Sequence, residues 1–384
     1  MLIIGLDPHK ASNTIAVLGL DETVLLGQRF DQSEAGLAAM LATAGEFAER
    51  VWAVEGANGL GRTVAQHLVG AGEVVFDVPA KLATRVRVYS TGHGTKSDSH
   101  DAISIARAAL HSRQLRRVVS DDENVALRLL TDRRDELVSA RTQTVCRLHR
   151  LLRELIPGGA PRELTADRAY ELISDLAAAG DGVDDPASLM RLELAAEHIW
   201  DIGRLDLRID QMTARITRKV KASQTTVTRI FGISFLGAAT ILGEVGNIDR
   251  FPTRNHLASY AGAAPIEVSS GPVVRHRLSR SGNRKLNRVI HTAALVQIRF
   301  DTPGRAYYRR KLAEGKSTRE ALRCLKQRII DAVWRQLQVD RQSDQTQDEQ
   351  WPRWPSSRKD WPSYRSPETP RRNGRPKRRA APRC

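Results

Sequence analysis

The sequence predicts a mixed α/β domain at the N-terminus, a helical middle region and a mostly α-helical C-terminal domain. Three observations predict it. Over the first 80 or so residues, apolar runs of strand length alternate with segments of helical pattern. From Ser120 onward, long charged segments repeat apolar residues at spacings of three and four. From Arg341 the periodicity stops and proline becomes frequent. With 384 residues and 41% hydrophobic content, the chain is long enough for two or three buried cores.

In chain order, Leu2-Ile3-Ile4-Gly5-Leu6 reads as a buried strand that delivers Asp7 at its end. Asn13 to Leu18 and Thr23 to Phe30 flank Gly19-Leu20-Asp21-Glu22, a hairpin signal. A helical segment, Ser33 to Arg50, precedes a second buried strand, Val51-Trp52-Ala53-Val54, which ends at Glu55-Gly56. Leu60 to Val69 has a helical pattern and Glu73 to Val78 a strand pattern. Then comes Lys96-Ser97-Asp98-Ser99-His100-Asp101-Ala102, which opens an alanine-rich helix running to Leu110. The order of three strands, helix, strand, helix, strand, helix suits a ribonuclease-H-like domain. There the first strand is central, the fourth lies beside it, and a late helix crosses the sheet near both.

That arrangement would bring Asp7, Glu55, Asp98 and Asp101 together. Asp98 and Asp101 are three residues apart, on one face of the first helical turns. Each carboxylate has an ordinary explanation: a turn for Asp7, a solvated strand end for Glu55, and helix capping for the last two. Converged at the ends of buried strands, however, they would repel one another unless a cation neutralised them. Mg²⁺, or Mn²⁺ in its place, suits such an all-oxygen site. Two such ions about 3.5–4 Å apart would polarise a scissile phosphate.

In the middle region, Val145, Leu148, Leu152 and Leu155 keep helical spacing until Pro157-Gly158-Gly159 ends the helix. Asp185-Pro186 starts another, with proline at its first position. Ile202, Leu205, Ile209, Met212 and Ile216 then form a heptad seam. It reads as an antiparallel coiled-coil pair, as a dimerisation arm, or as a helical hairpin within one chain.

The third region opens with Ile230-Phe231-Gly232-Ile233-Ser234-Phe235-Leu236-Gly237 and a helix-like stretch to Val245. Helix-hairpin-helix elements look like this and offer backbone N–H groups to phosphates. The two glycines equally suit tight helix packing. Further on, Ser269-Ser270-Gly271 precedes Arg275, His276, Arg277, Arg280, Arg284, Lys285 and Arg288. A serine beside glycine is ordinary turn chemistry. Backed by guanidinium groups, though, the Ser270 hydroxyl suits attack on a phosphodiester, whose developing charge those groups would stabilise.

Charge supports a nucleic-acid partner. The chain carries a net charge of +16; residues 271–335 hold 17 Lys/Arg against 4 Asp/Glu, and residues 341–384 hold 12 against 5. So uneven a basic half points to a polyanion held through phosphate contacts, and the alternative is a solvated basic surface. The tail, with 7 of the 16 prolines together with Trp351, Trp354 and Trp361, is expected to be disordered and RNA-binding, or else a dispensable extension. Cys146, Cys324 and Cys384 are scattered, which argues against a disulfide framework or a structural zinc. No apolar run approaches the roughly 18 residues of a membrane span, and the N-terminus enters a strand without a basic leader. A cytoplasmic, nucleoid-associated protein is expected. The expected boundaries are 1–117 for the α/β domain, 118–222 for the helical region, 223–340 for the C-terminal domain and 341–384 for the tail.

Taken together, Gly5-Leu6-Asp7, Glu55-Gly56 and Lys96-Ser97-Asp98-x-x-Asp101-Ala102 resemble the four-carboxylate signature of the DEDD insertion-sequence transposases of the IS110 family. Gly232-Ile233-Ser234, Arg250-Phe251, Gly262-x-x-Pro265, Ser270-Gly271 and Gly282-Asn283-Arg284 resemble that family's C-terminal transposase domain. The resemblance spans roughly residues 1–335. It departs at Ser97, where threonine is usual, and at Ala263, where leucine is, and neither change removes a reactive group. The resemblance implies a RuvC-like domain whose Asp7, Glu55, Asp98 and Asp101 bind Mg²⁺, a coiled-coil insertion, and a transposase domain with Ser270 as nucleophile. Ser269 is the rival to Ser270. It further implies a structured bridge RNA, encoded by the element, that pairs with target and donor DNA. It implies, too, dimers that assemble into tetramers, with the two halves of an active site drawn from different subunits. Two other readings stand beside it: a metal-only nuclease of the Holliday-junction-resolvase type, and a non-catalytic nucleic-acid-binding protein.

Overall fold

A computed structural model describes residues 1–91, 98–112, 115–179, 185–267, 276–278 and 282–344. Met1–Ser120 forms one compact unit, and a second begins at Asp121.

The first unit is built on a six-stranded sheet: β1 (Leu2–Pro8), β2 (Ser12–Leu18), β3 (Val24–Asp31), β4 (Arg50–Glu55), β5 (Val75–Val78) and the short β6 (Arg116–Arg117). Its order is β3-β2-β1-β4-β5-β6. β1, β2 and β3 pair antiparallel, whereas β4 and β5 join β1 in parallel. A central first strand flanked by a meander on one side and by parallel strands on the other is the ribonuclease-H-like arrangement. Alternation along the strands separates two apolar layers, because successive side chains point to opposite faces. Ile4, Leu6, Trp52 and Val54 pack against α1 (Glu34–Gly45) and α2 (Arg62–Gly70). Ile3, Val51, Ala53, Phe76 and Val78 pack against α3 (Ala80–Thr91) and α4 (Asp98–His111).

Two elements were not legible. α3 lies between β5 and α4, where Ala80 to Thr91 mixes Arg with Val and Thr and has no clean apolar stripe. β6, two residues long, closes the sheet edge beside β5.

The second unit opens with α5 (Glu123–Leu155), α6 (Ala166–Ala179) and α7 (Pro186–Ala222). α7 begins at Pro186 with Asp185 as its cap, the Asp185 Oδ1 accepting from the Ala187 and Ser188 amides at 2.9 and 3.0 Å. The heptad seam packs on α5 of the same chain: Leu148, Leu151 and Leu152 meet Ile199 and Ile202 in one apolar cluster, and Leu127 shares another with Ile216 and Val220. Lys219 pairs with Glu123 and Arg191 with Glu154, so the two helices run antiparallel. The remaining elements are α8 (Phe235–Val245), α9 (Arg254–Tyr260), β7 (Pro265–Glu267), β8 (His276–Leu278), α10 (Arg284–Arg299), α11 (Pro303–Ala313) and α12 (Thr318–Asp344). α8, α9, α10 and α12 surround a core that also takes in Leu127 of α5 and Val220 of α7. The middle and C-terminal segments therefore share one core. Gly243 makes the join close: a Cβ there would lie 2.9 Å from the Arg128 backbone.

Candidate active site

Three features of the sequence place the carboxylates. Asp7 and Gly5 stand two residues apart on β1 and so share a face, the one covered by α4. Gly5 lets that helix lie directly on the strand, since a Cβ there would sit 2.2 Å from the Ala102 carbonyl oxygen and 2.7 Å from the Ala106 nitrogen. Ala102 and Ala106 are themselves fully buried. β4 runs parallel to β1 with Leu6 opposite Val54, which sets Glu55, the last residue of β4, beside Asp7. Asp101 enters from α4, one residue before the Gly5 contact.

The electrostatics show that they converge. The half-buried Glu55 carboxyl is held above its ordinary range first by burial and then by the negative charges of Asp7 and Asp101. Two basic side chains face these carboxylates. Arg87 of α3 donates from Nη1 to Asp101 Oδ1 at 2.8 Å, and His9 Nε2 lies 3.0 Å from Asp7 Oδ2. The Arg87 guanidinium is in turn held more basic by Asp101, with smaller contributions from Glu55 and Asp7. His9 sits in the β1–β2 turn, where its amide donates to the Ser12 carbonyl at 2.8 Å. The turn after Glu55 is fixed from β5: Asp77 Oδ1 accepts from the Ala57 amide and Oδ2 from Asn58 Nδ2, both at 2.9 Å.

Of the four predicted carboxylates, Asp7, Glu55 and Asp101 are brought together. Asp98 begins α4, and its side chain lies outside the described residues. Among the described residues, no group of three or more acidic, His or Cys side chains is spaced to hold a metal ion. The donor chemistry nevertheless fits one. The oxygens are hard and mutually repelling, and the hydroxyls of Ser12 and Thr14, buried on the Asp7 face, have no hydrogen-bond partner among the described residues. Hydroxyls so placed suit the outer sphere of a hydrated cation.

Sequence reasoning missed His9, Arg87, Ser12 and Thr14. His9 was findable as a titratable residue two positions beyond Asp7. Arg87 was not, because its helix went unread.

In the second unit, Ser269, Ser270, Arg275 and Arg280 lie outside the described residues, and Arg277 is described only as part of β8. β7 and β8 pair antiparallel, with Ile266 opposite Arg277. The ends of this excursion are pinned. Asn283 caps α10 by accepting from the Leu286 amide at 2.9 Å, its own amide donates to the Tyr260 carbonyl at 2.8 Å, and its Nδ2 reaches Glu244 and Tyr260 Oη. Gly282, at φ +134°, touches Gly262 so closely that a Cβ would lie 2.8 Å from the Gly262 nitrogen. Lys285 pairs with Asp132, and Arg288 Nη2 with Asp135 Oδ2 at 2.7 Å, so two of the predicted phosphate-binding residues hold α10 to α5. Arg284 is exposed at the start of α10. Gly232, at φ +89°, packs on Ala293, and Gly237 faces Val289, which accounts for both glycines by helix packing.

A ribonuclease-H-like sheet bearing convergent carboxylates, on a chain whose residues 271–335 are strongly basic, suits a DNA transposase. Comparison with known proteins agrees. A family model described as Transposase, of the DEDD IS110 type, matches residues 4–157, and one described as Transposase IS116/IS110/IS902 family matches residues 224–309. The chain belongs to the IS110 family of transposases. An uncharacterized 42 kDa protein of insertion element IS900 from Mycobacterium paratuberculosis is 27% identical over 379 residues, 87% of this chain and 94% of that protein. An uncharacterized 44.8 kDa protein of IS116 from Streptomyces clavuligerus is 25% identical over 380 residues, 88% of this chain and 95% of that protein. An uncharacterized 43.6 kDa protein of IS110 from Streptomyces coelicolor is 41% identical over 105 residues, 27% of this chain and 26% of that protein. Among solved structures, RuvC from Thermus thermophilus is 17% identical and covers 31% of this chain and 100% of its own; at a TM-score of 0.25 that likeness adds nothing to the strand order. No helix among the described residues is long and apolar enough to cross a membrane.

Proposed function

We propose that this transposase cuts and exchanges DNA strands through a covalent phosphoserine intermediate, with Mg²⁺ or Mn²⁺ held by Asp7, Glu55, Asp98 and Asp101 and with a bridge RNA selecting donor and target. The observation that carries the reading is the meeting of Asp7, Glu55 and Asp101 where α4 rests on Gly5. Carboxylates crowded enough that Asp7 and Asp101 raise the proton affinity of Glu55 suit a divalent cation, which relieves their repulsion. When bound, that cation would polarise the scissile phosphate and stabilise its developing charge.

The chain's own residues would do the rest. Ser270 Oγ forms a bond to phosphorus while the bond from phosphorus to the leaving sugar oxygen breaks. That oxygen departs with a proton, and the serine proton passes to a base. In the reverse transfer a sugar hydroxyl of the second strand attacks the phosphoserine and restores the serine. Bond energy is conserved throughout, so strands rejoin without ATP. Arg275, Arg277, Arg280 and Arg284, which follow the nucleophile in the sequence, would supply positive charge to the phosphate, whereas Lys285 and Arg288 are already engaged by α5. The nucleophile and the carboxylates belong to different units of the chain, a division that suits active sites shared between subunits of a dimer or tetramer.

The test is incubation with labelled donor and target DNA, bridge RNA and Mg²⁺, read on denaturing gels before and after proteolysis. Wild-type protein should give protein-linked DNA, and Ser270→Ala should give none. Asp7→Ala and Asp101→Ala should abolish cleavage. Cleavage by Ser270→Ala without any adduct would identify a metal-only nuclease instead. Equal activity with and without the RNA would remove the guide from the reading.

A further inference from the structure

We propose that Arg87 is the resident counter-cation of the carboxylate site, a positioning residue that holds Asp101 while the site is metal-free and yields it when a divalent cation binds. The inference rests on the metal-binding reading of the carboxylates and goes beyond it, since Arg87 is no part of the four-carboxylate signature.

The geometry points to Arg87 for three reasons. First, its Nη1 is 2.8 Å from Asp101 Oδ1, and the Asp101 side chain is only 12% exposed, so this guanidinium occupies an oxygen that a metal would need. Second, the Arg87 side chain is 34% exposed, and the packing of its helix does not depend on it. α3 stays anchored through Ala83, which is buried in the same apolar layer as Ala102 and Ile105 of α4, with Val86 packed against that layer. Third, among the described residues the titratable and charged groups facing Asp101 and its neighbours include Arg87 from α3, Asp7 from β1, His9 from the β1–β2 turn and Glu55 from β4. One guanidinium and one imidazole face three carboxylates, so Arg87 offsets only part of the repulsion. A divalent ion would bring twice the charge of the Arg87 guanidinium to these carboxylates.

Consequently metal and Arg87 compete. Removing the guanidinium takes away both the hydrogen bond that must break and a positive charge that repels the incoming ion. The full-length protein without nucleic acid would be titrated with Mn²⁺, following free Mn²⁺ by electron paramagnetic resonance and heat by calorimetry. Arg87→Gln should bind Mn²⁺ about tenfold more tightly than wild type, as expected when one charge-assisted hydrogen bond no longer has to be broken. Its melting temperature should be lower without metal and rise more on saturation. Arg87→Lys, which keeps the charge but loses the planar fork, should fall between the two and provides the comparison should Arg87→Gln not fold. Equal or weaker Mn²⁺ binding by both variants overturns the role of Arg87 while leaving the metal site intact. Absence of Mn²⁺ binding in folded wild type and variants alike overturns the metal reading itself, and this inference with it.

Discussion

Gly5 sets the distance between the helix that carries Asp98 and Asp101 and the strand that carries Asp7. Any side chain there meets backbone, the Ala102 oxygen and the Ala106 nitrogen, which cannot rotate out of the way. Gly5→Ala should therefore push α4 off the sheet and cost about 1–3 kcal/mol, the usual range for overpacking, measurable by urea unfolding. Displacement of about 1 Å at a reacting centre is worth about a hundredfold in rate, so strand cleavage should fall further than stability does. Lys326 poses a different problem. It is 7% exposed, donates from Nζ to Asn287 Oδ1 at 2.7 Å, and is pushed below its ordinary pKa by burial. Because the folded state disfavours the charged amine, its penalty is fully present below the lowered pKa and fades as pH rises toward the unfolded value. Wild type should consequently gain stability relative to Lys326→Met as pH rises through the alkaline range toward the ordinary lysine pKa of about 10. Melting curves across that range check it, and a constant difference would show that the amine does not titrate differently in the fold.

Helix starts carry much of the element-level order. Asn283 caps α10, and its amide bonds the stretch before β7 to the stretch after β8. Asn283→Ala should cost about 1–2 kcal/mol, from the cap and the loss of partners for Glu244 and Tyr260 Oη. Asn283→Asp keeps the cap but sets a second carboxylate against Glu244, and should be the less stable at neutral pH and recover as acid protonates the pair. Hydrogen exchange at the Leu286 amide separates the two: it should speed up in Asn283→Ala and stay slow in Asn283→Asp. Legibility in the sequence follows the same line. Elements that bury a periodic apolar face or carry a strong start signal, such as β1, β4 and α7, could be read, because burial and capping act through a few neighbouring residues. α3 could not, having no clean stripe, nor could β7 and β8, three residues each, which exist by pairing with each other. The positions of Asp7 and Glu55 were legible because strand ends place them. Their counter-cations were not, because Arg87 reaches Asp101 only after α3 and α4 have folded against one sheet face.

At the scale of the whole molecule, charge divides the labour. The acidic cluster sits in the unit made of Met1–Ser120, while residues 271–335 carry 17 Lys/Arg against 4 Asp/Glu. Helical pairing accounts for part of that excess: Lys285 and Arg288 hold α10 to α5. The chain beyond α12 adds 11 Lys/Arg against 4 Asp/Glu in residues 345–384, which lie outside the described residues. If this segment contributes phosphate contacts, truncation after Asp344 should weaken nucleic-acid binding most at low salt and make the salt dependence shallower. The logarithmic slope falls by about 0.7–0.9 for each phosphate contact removed, so a tail neutralising several phosphates would change it by a few units. A truncated protein with unchanged slope and full strand-exchange activity would mean that the basic tail is dispensable and that the phosphates are held by the folded part of the chain.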